Sequence, residues 1–308
     1  MFTRLKNFLI SIITKSNDRN IFTIGSSHLA LMRQNYHNIK DLNELDYKIY
    51  SQAGEDGIID YLLHSLKIKK PKFVELGVGD YWESNTRFVF ERTSCKGLIV
   101  DNIENFEQKV MKNIKFWKGN LTILKKEISS NNVLAILGNQ NFDKNLDLFS
   151  IDIDGIDYWV LEKLENEFSK IVVAEYNPYF GSNLKISVPN IESFKRKKYH
   201  YSHLCFGASL KAIISLLDKK GYIFLGTNLL RSNAFFVLKK FKDQIKINLP
   251  DMTHLDRYVD SNIRESRNKR GELNYLSGSS ILKQIENCEV MDLTSENKKL
   301  LKLKEVPS

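Results

Sequence analysis

Apolar residues follow two alternating patterns through the middle of the chain. Phe73–Leu76, Gly97–Asp101, Leu146–Ile151 and Ile171–Ala174 are short and almost wholly apolar, as a parallel strand covered on both faces requires. Ile114–Trp117 reads as one more strand, third in chain order. Between the strands, apolar residues return at helical spacing. They do so at Ile58, Ile59, Leu62, Leu63 and Leu66, at Phe88 to Phe90, and over Ile103–Met111, residues 122–140 and Tyr158–Leu164. A helix over Ser209–Leu217, closed by Lys219-Lys220-Gly221, leads to Tyr222–Leu225 and Asn233–Leu238, close enough to form a hairpin. This order predicts an α/β fold: a doubly wound, mostly parallel, seven-stranded Rossmann-like sheet with a terminal antiparallel hairpin.

The pattern weakens at both ends and once in the middle. Residues 1–48 read as a helical lead-in with a short helix near Ser27–Tyr36, residues 49–240 as the α/β domain, and residues 241–308 as a polar and helical extension. Residues 179–206 interrupt the alternation with glycine, prolines and the basic-aromatic run Phe194–Tyr201. They are too long for an ordinary connection and are read as a lid or substrate loop. At the N-terminus, Phe2, Leu5, Leu9, Ile12 and Ile13 would share one helix face, which would dock on the domain or lie on a membrane surface.

Composition adds exclusions. The chain has 308 residues, 42% hydrophobic and 27% charged, which suits a folded globular protein rather than a disordered one. No apolar run approaches the ~18 residues that span a bilayer. Cys95, Cys205 and Cys288 are odd in number and lack metal-site spacing, so neither a disulfide framework nor structural zinc is implied. A cytoplasmic protein is expected, with peripheral contact at the inner membrane face as the alternative role of the first helix. The net charge of +9 fits an anionic partner, but no nucleic-acid-binding module accompanies it and no nucleic acid is expected.

In an open α/β sheet, ligands sit outside the carboxyl ends of the strands. That rim collects Glu75, Gly77, Gly79, Asp101, Asn120, Asp152 and Glu175. Gly77 and Gly79 let the chain turn sharply and approach a ligand. Asp101, one βαβ unit later, stands where a carboxylate takes both hydroxyls of a ribose. The run Glu75-Leu-Gly-Val-Gly-Asp80 lacks the third glycine of a dinucleotide loop, having Tyr81 and Trp82 instead. An acidic residue before the glycines would repel a pyrophosphate and attract an ammonium.

At this point the pattern resembles the class I S-adenosylmethionine-dependent methyltransferases. Further motifs narrow it: Ser51-Gln-Ala-Gly-Glu-Asp-Gly57, Glu83-Ser-Asn-Thr86, Ser150-Ile-Asp-Ile-Asp-Gly155, Glu175-Tyr-Asn177, Phe206-Gly-Ala-Ser-Leu210 and Asn233-Ala-Phe-Phe236. Together, over roughly residues 45–240, they resemble the FkbM-type methyltransferases, a group linked to O-methylation of sugars and glycans. The resemblance implies S-adenosylmethionine as cofactor, bound through Gln52, Glu75, Gly77, Gly79, Asp80, Thr86, Asp101, Asn120 and Asp152. It implies an acceptor that is a small molecule or glycan, anionic in one version of this reading. The chain departs from the family pattern at Ile156, where asparagine is usual, and at Asn120, where aspartate is common.

Methyl transfer to a hydroxyl needs an in-line acceptor oxygen and a group that takes its proton or lowers its pKa. Asp152 and Asp154 leave the fourth strand, and Glu175 and Asn177 the fifth. One carboxylate could be a general base, or Asp152, Glu175 and Asn177 could hold Mg²⁺ or another divalent cation, as in the catechol-type methyltransferases. Asp154 could equally cap a turn before Tyr158. His200 and His203 in the long loop are further base candidates. Lys195–Lys198 could bind a phosphate or acidic sugar, and Trp82 and Trp159 could stack on a ring. Two other readings remain open: Asp152-Ile-Asp154 is also the DxD of metal-dependent glycosyltransferases, and a fold of this type can bind without catalysing.

Overall fold

The computed structural model describes residues 2–307, with side chains from residue 17 onward. Its first element, α1 (Phe2–Asn35), is one continuous helix of 34 residues and not a short one near Ser27. The side chains of Phe2, Leu5, Leu9, Ile12 and Ile13 lie outside the described ones. The described half of α1 is fastened by charge. Arg33 grips Asp60 through two N–H groups at 2.9 and 2.7 Å, Tyr36 donates to the same carboxylate at 2.8 Å, and Asp18 accepts from the fully buried Arg87 at 2.5 Å. No described helix is long and apolar enough to cross a membrane.

The α/β body then unfolds in chain order: α2 (Glu55–Ser65), β1 (Lys72–Leu76), α3 (Arg87–Thr93), β2 (Lys96–Asp101), α4 (Phe106–Asn113), β3 (Asn120–Lys125), α5 (Val133–Asn139), β4 (Leu146–Ile151), α6 (Asp157–Lys163) and β5 (Ser169–Glu175). The long loop carries the two-residue strand β6 (Ile186–Ser187) and one turn of helix, α7 (Arg196–Tyr199). Next come α8 (Leu210–Lys219), β7 (Tyr222–Thr227) and β8 (Asn233–Leu238). Ser209 caps α8, and Gly221 follows it at φ +93°, a conformation open to glycine.

The large sheet has the order β3-β2-β1-β4-β5-β8-β7, parallel except for β8, which runs antiparallel to both of its neighbours. This is the expected fold class. The antiparallel strand slots in one place from the edge, because the hairpin's second strand, not its first, pairs with β5. Val74, Leu76, Leu98, Val100, Phe149 and Val172 face one core, and Phe73, Ile99, Leu148, Ile171 and Val173 the other, so both faces are covered.

Two expectations fail. Ile114–Trp117 is not a strand: Phe116–Lys118 form a 3-10 turn with Phe116 and Trp117 largely exposed, and β3 begins at Asn120 and runs to Lys125, into the span 122–140 expected to be helical. Residues 241–308 also do more than trail. α9 (Ser279–Ile285), β9 (Glu289–Asp292) and β10 (Lys299–Lys302) follow, and the order β10-β9-β6 makes a second, antiparallel sheet. A third core of Phe180, Ile186, Leu204, Cys205, Ile285 and Val290 joins this extension to the long loop.

Candidate functional site

The carboxyl ends of β1 to β4 open into one cavity of about 870 Å³, at the upper end of the small-molecule range. Of the residues singled out above, Gln52, Glu75, Gly77, Gly79, Asp80, Asp101, Asp152, Asp154 and His203 line it. Thr86, Asn120, Glu175, Asn177 and His200 do not.

Asn120 is a correction that follows from β3. Its partner in the parallel register is Lys96 at the start of β2, while Asp101 pairs with Lys125. Asn120 therefore sits at the amino end of the sheet, away from the cavity. The β3 residues that reach the rim are the ones just past Lys125: Lys126, Glu127 and Ile128. With Ile103 after β2, Ile128 gives this corner its apolar surface. Neither isoleucine was singled out from the sequence, because each lies past the end of a strand whose limits decide the matter.

Glu75 ends inside the protein. Its carboxylate accepts from Ser84 Oγ (2.6 Å), Asn85 N (2.9 Å), Thr86 N (3.0 Å) and Thr86 Oγ1 (2.5 Å), tying the loop and the start of α3 to β1. Burial raises its pKa against these bonds. Thr86 is thereby buried behind Glu75. Asp101 is also well satisfied. Oδ2 accepts from Val78 N (2.9 Å) and Gly79 N (2.8 Å), and Oδ1 from Asn102 N (2.7 Å) and Ile103 N (3.1 Å), which fills the roughly four lone-pair positions of a carboxylate.

The glycine loop is set by contact. A Cβ on Gly77, at φ +80°, would stand 1.7 Å from the carbonyl oxygen of Asp152, whereas one on Gly79, at φ +55°, would meet nothing. Gly77 is needed for packing, and Gly79 shows bare backbone to open space. Tyr81 adopts the left-handed conformation (φ 64°) that a third glycine would take freely. Its ring is buried and its hydroxyl shares a 2.9 Å hydrogen bond with Thr86. Trp82 lies at the cavity mouth over the Arg87 guanidinium, 4.8 Å away. Trp159 is core, donating to Val188 O at 2.8 Å.

The other half of the rim is acidic and strained. One oxygen each of Asp152, Asp154 and Glu175 lie within 4.8 Å of one another. Glu175 is 9% exposed and its Oε2 has no partner. Across the β5–β8 pairing stands Asn233, 2% exposed, with Nδ2 given to Glu55 (2.9 Å) and Oδ1 unpartnered. Burial first, then the neighbouring carboxylates Asp154 and Asp157, pushes Asp152 up to about 8, and burial beside Asp152 raises Glu175 strongly. With one half-buried and one buried carboxyl group this close, like-charge repulsion disfavours the doubly ionised pair and favours a shared proton.

Asn177 does not join them, which corrects the expected ligand set. Nδ2 donates to Leu204 O (2.8 Å) and Phe206 O (2.9 Å), and Oδ1 accepts from Tyr179 N (2.9 Å), so the side chain clamps the long loop onto β5. Asp157 shapes the β4 exit, accepting from Ile153 N (2.9 Å) and Gly155 N (3.1 Å). This is the turn-capping role allowed for Asp154. Asp154 instead pairs at 2.9 Å with Arg196, which also bonds Glu265 and His203 O and lies 3.9 Å over the Phe206 ring. Arg196 was hidden in the basic run 195–198, where nothing marks one of four cations as the buried one.

His203 lines the cavity, and burial followed by Arg267, Arg196 and Lys197 holds its imidazole below the ordinary range. His200 turns to Ser202 (2.6 Å) and Cys288 in the third core.

No protein-family model matches the chain, and no curated protein matches it. Solved structures similar to it include an O-methyltransferase family protein from Burkholderia thailandensis, with 12% identity over 59% of this chain and 54% of that one, TM-score 0.35. Human N-acetylserotonin methyltransferase, in complex with SAM, has 14% identity over 57% and 50%, TM-score 0.33. A small RNA methyltransferase has 15% identity over 59% and 25%, TM-score 0.36. The chain thus spans about half the length of the first two and a quarter of the third. At these identities and scores the likeness carries no chemistry with it.

Proposed function

We propose that the protein is an S-adenosylmethionine-dependent O-methyltransferase whose acceptor is a hydroxyl of a sugar or glycoconjugate. One observation carries this reading: a single cavity joins a bare glycine turn and a strand-end aspartate to Asp152, beside which the buried Glu175 keeps an unpartnered oxygen. The FkbM-like motifs support it, since Gln52, Glu83, Ser84, Asn85, Asp152, Asp154 and Asn233 of those motifs border this cavity.

The residues fit the cofactor in an unequal way. Gly79 leaves room for close approach, Ile103 and Ile128 offer apolar surface to a purine, and Asp101 stands at the right strand end. Asp101 takes a ribose diol only by exchanging some of its four amide donors, so binding entails a local rearrangement of the glycine loop. Glu75 supports the loop from within, its oxygens already taken. The bound cofactor supplies a methyl group on a sulfonium, an electrophile that needs no further activation.

The protein must orient the acceptor and manage its proton. In the doubly ionised state, the Asp152–Glu175 pair is a competent acceptor of that proton as the oxygen–methyl bond forms and the methyl–sulfur bond breaks. A second use of the same oxygens is favoured by the unpartnered Glu175 Oε2 and Asn233 Oδ1. Hard oxygen donors from Asp152, Asp154, Glu175 and Asn233 suit a divalent cation, which would take the place of the shared proton and polarise the acceptor hydroxyl.

Calorimetry tests the reading. S-adenosylhomocysteine should bind, and a nucleotide diphosphate sugar should not. Binding of the latter alone would favour glycosyl transfer through Asp152-Ile-Asp154 and sink the methyltransferase reading. Titration with Mn²⁺ or Mg²⁺ decides the cation, and cofactor consumption with sugar acceptors separates a working enzyme from a binding protein.

A further inference from the structure

The cavity is acidic at its floor and cationic at its outer wall, and the cations of that wall are not equally engaged. Lys195 is paired with Glu127 at 3.4 Å, and Arg196 with Asp154 and Glu265. Lys126, Lys197 and Arg267 line the same cavity and form no ion pair among the described residues.

Arg267 is the most firmly placed of the three. Nη1 donates to Gly271 O at 2.9 Å, while Nε is buried and has no partner. The turn that carries it is braced from both sides. Asn274 N donates to Ser266 O (2.9 Å), Leu276 N to Ser266 Oγ (2.7 Å), and Gln284 Nε2 from α9 to Arg267 O (2.7 Å). A guanidinium held on a rigid turn, with a desolvated donor left over, is prepared for a partner that accepts. A solvated surface cation needs neither the bracing nor the burial. Arg267, Arg196 and Lys197 all lower the pKa of His203, so these cations converge on one spot of the wall.

We infer that the acceptor carries an oxyanion, a phosphate or carboxylate group, which Arg267 binds with Lys197 while the hydroxyl to be methylated points at the Asp152–Glu175 floor. The inference rests on the methyltransferase reading for the identity of the reacting group, though not for the binding of the anion. It also gives the C-terminal extension a task. Residues 265 and 267 complete the acceptor side of a cavity whose cofactor side belongs to the α/β body. An anionic acceptor would be oriented by opposite charge at the mouth and repelled from lying the other way round by the acidic floor.

The test is calorimetry on the full chain, with and without S-adenosylhomocysteine, using glucose, glucose 6-phosphate, galacturonate and inorganic phosphate as probes. Glucose 6-phosphate or galacturonate should bind at least tenfold more tightly than glucose, and the preference should shrink as salt is raised from 50 to 300 mM. Arg267→Gln should weaken the favoured anion at least tenfold and leave S-adenosylhomocysteine affinity unchanged. Lys197→Glu, on an exposed side chain with no partner to lose, repeats the test should Arg267→Gln fail to fold. Equal binding of glucose and its phosphate overturns the proposal, as does unchanged affinity in the variants. Inorganic phosphate binding as tightly as either anionic sugar means an adventitious ion only and also overturns it. Failure of S-adenosylhomocysteine to bind while the anionic sugar still binds sinks the cofactor reading and leaves the anion site standing.

Discussion

The two halves of the rim contain the same residue type in opposite states. On the β1–β2 side, Glu75 and Asp101 each accept four hydrogen bonds, and their oxygens hold backbone in place. On the β4–β5–β8 side, Glu175 and Asn233 each keep a buried oxygen without a donor, and Asp152 faces like charge. Satisfied carboxylates are scaffolding, which fixes where a ligand's backbone contacts will be. Unsatisfied ones cost stability in the empty protein and are retained where a proton, a cation or a substrate hydroxyl supplies what is missing. The proposed function uses this contrast, with binding on the first side and chemistry on the second.

The halves touch at Gly77, so the largest effect should come from breaking that joint. Gly77→Ala puts a Cβ 1.7 Å from Asp152 O on a residue with φ +80°. Moving β1 away from β4 is the only relief. A loss of more than about 4 kcal/mol is expected, seen as insoluble protein or a drop in Tm of about 6 °C or more. Gly79→Ala, with the same sign of φ but open space, should cost about 1–2 kcal/mol of backbone strain alone. Equal losses for the two would remove the packing argument.

The next effect is electrostatic, and its sign distinguishes the halves. The folded protein keeps a proton on Asp152 up to about pH 8, while the unfolded chain releases it near the ordinary 3.8. Between those values the folded state binds more protons than the unfolded one, so stability falls as pH rises. In metal-free protein, Asp152→Asn should therefore flatten the pH profile and raise Tm at pH 8–9 by several degrees, an unusual gain from losing an acidic residue. It should also abolish methyl transfer. Denaturation curves at pH 5, 7 and 9 measure the first effect; a variant less stable than the parent at pH 9 would mean that the pair is satisfied after all. Asp101→Asn should behave in the opposite manner, because it replaces the acceptor of two of the four amides with a donor. A loss of about 1–3 kcal/mol and a roughly tenfold weaker S-adenosylhomocysteine complex are expected.

Which of these features the chain displays in advance depends on burial. Strands β1, β2, β4 and β5 are covered on both faces and so appear as continuous apolar runs. β3 lies at the sheet edge, half exposed along its whole length, and reads Asn120-Leu-Thr-Ile-Leu-Lys125. The more apolar Ile114–Trp117 beside it was the better strand on pattern, yet its Phe116 and Trp117 are 63% and 69% exposed. Asn120 was misplaced for that reason alone. The second sheet escaped notice because its strands have two to four residues and join segments about a hundred residues apart. At the site, strand-end carboxylates were legible from position. Their state was not: nothing in Glu75 or Glu175 as letters says that one meets four donors and the other leaves an oxygen bare. Asn177, expected among the ligands, clamps a loop, and Asn233, read from the sequence as the start of a hairpin strand, faces the cavity.

The finest division runs within the acidic half, between half-buried Asp152 with buried Glu175 and the 64% exposed Asp154. Asp154→Asn should barely alter stability, within about 0.5 kcal/mol, for three reasons. Exposed ion pairs contribute little, Arg196 keeps Glu265 and His203 O, and asparagine tolerates the left-handed conformation that Asp154 holds at φ 56°. Cation affinity responds differently, because removing one of three charges from a hard oxygen site weakens it whether or not the residue is exposed. Mn²⁺ titration should show binding reduced by about tenfold or more in Asp154→Asn, against complete loss in Glu175→Gln. Unchanged Mn²⁺ affinity would confine any cation to the Asp152–Glu175 pair and Asn233. No binding by the parent protein would leave proton transfer as the use of the pair, with Asp154 serving only to seat Arg196 at the mouth of the cavity.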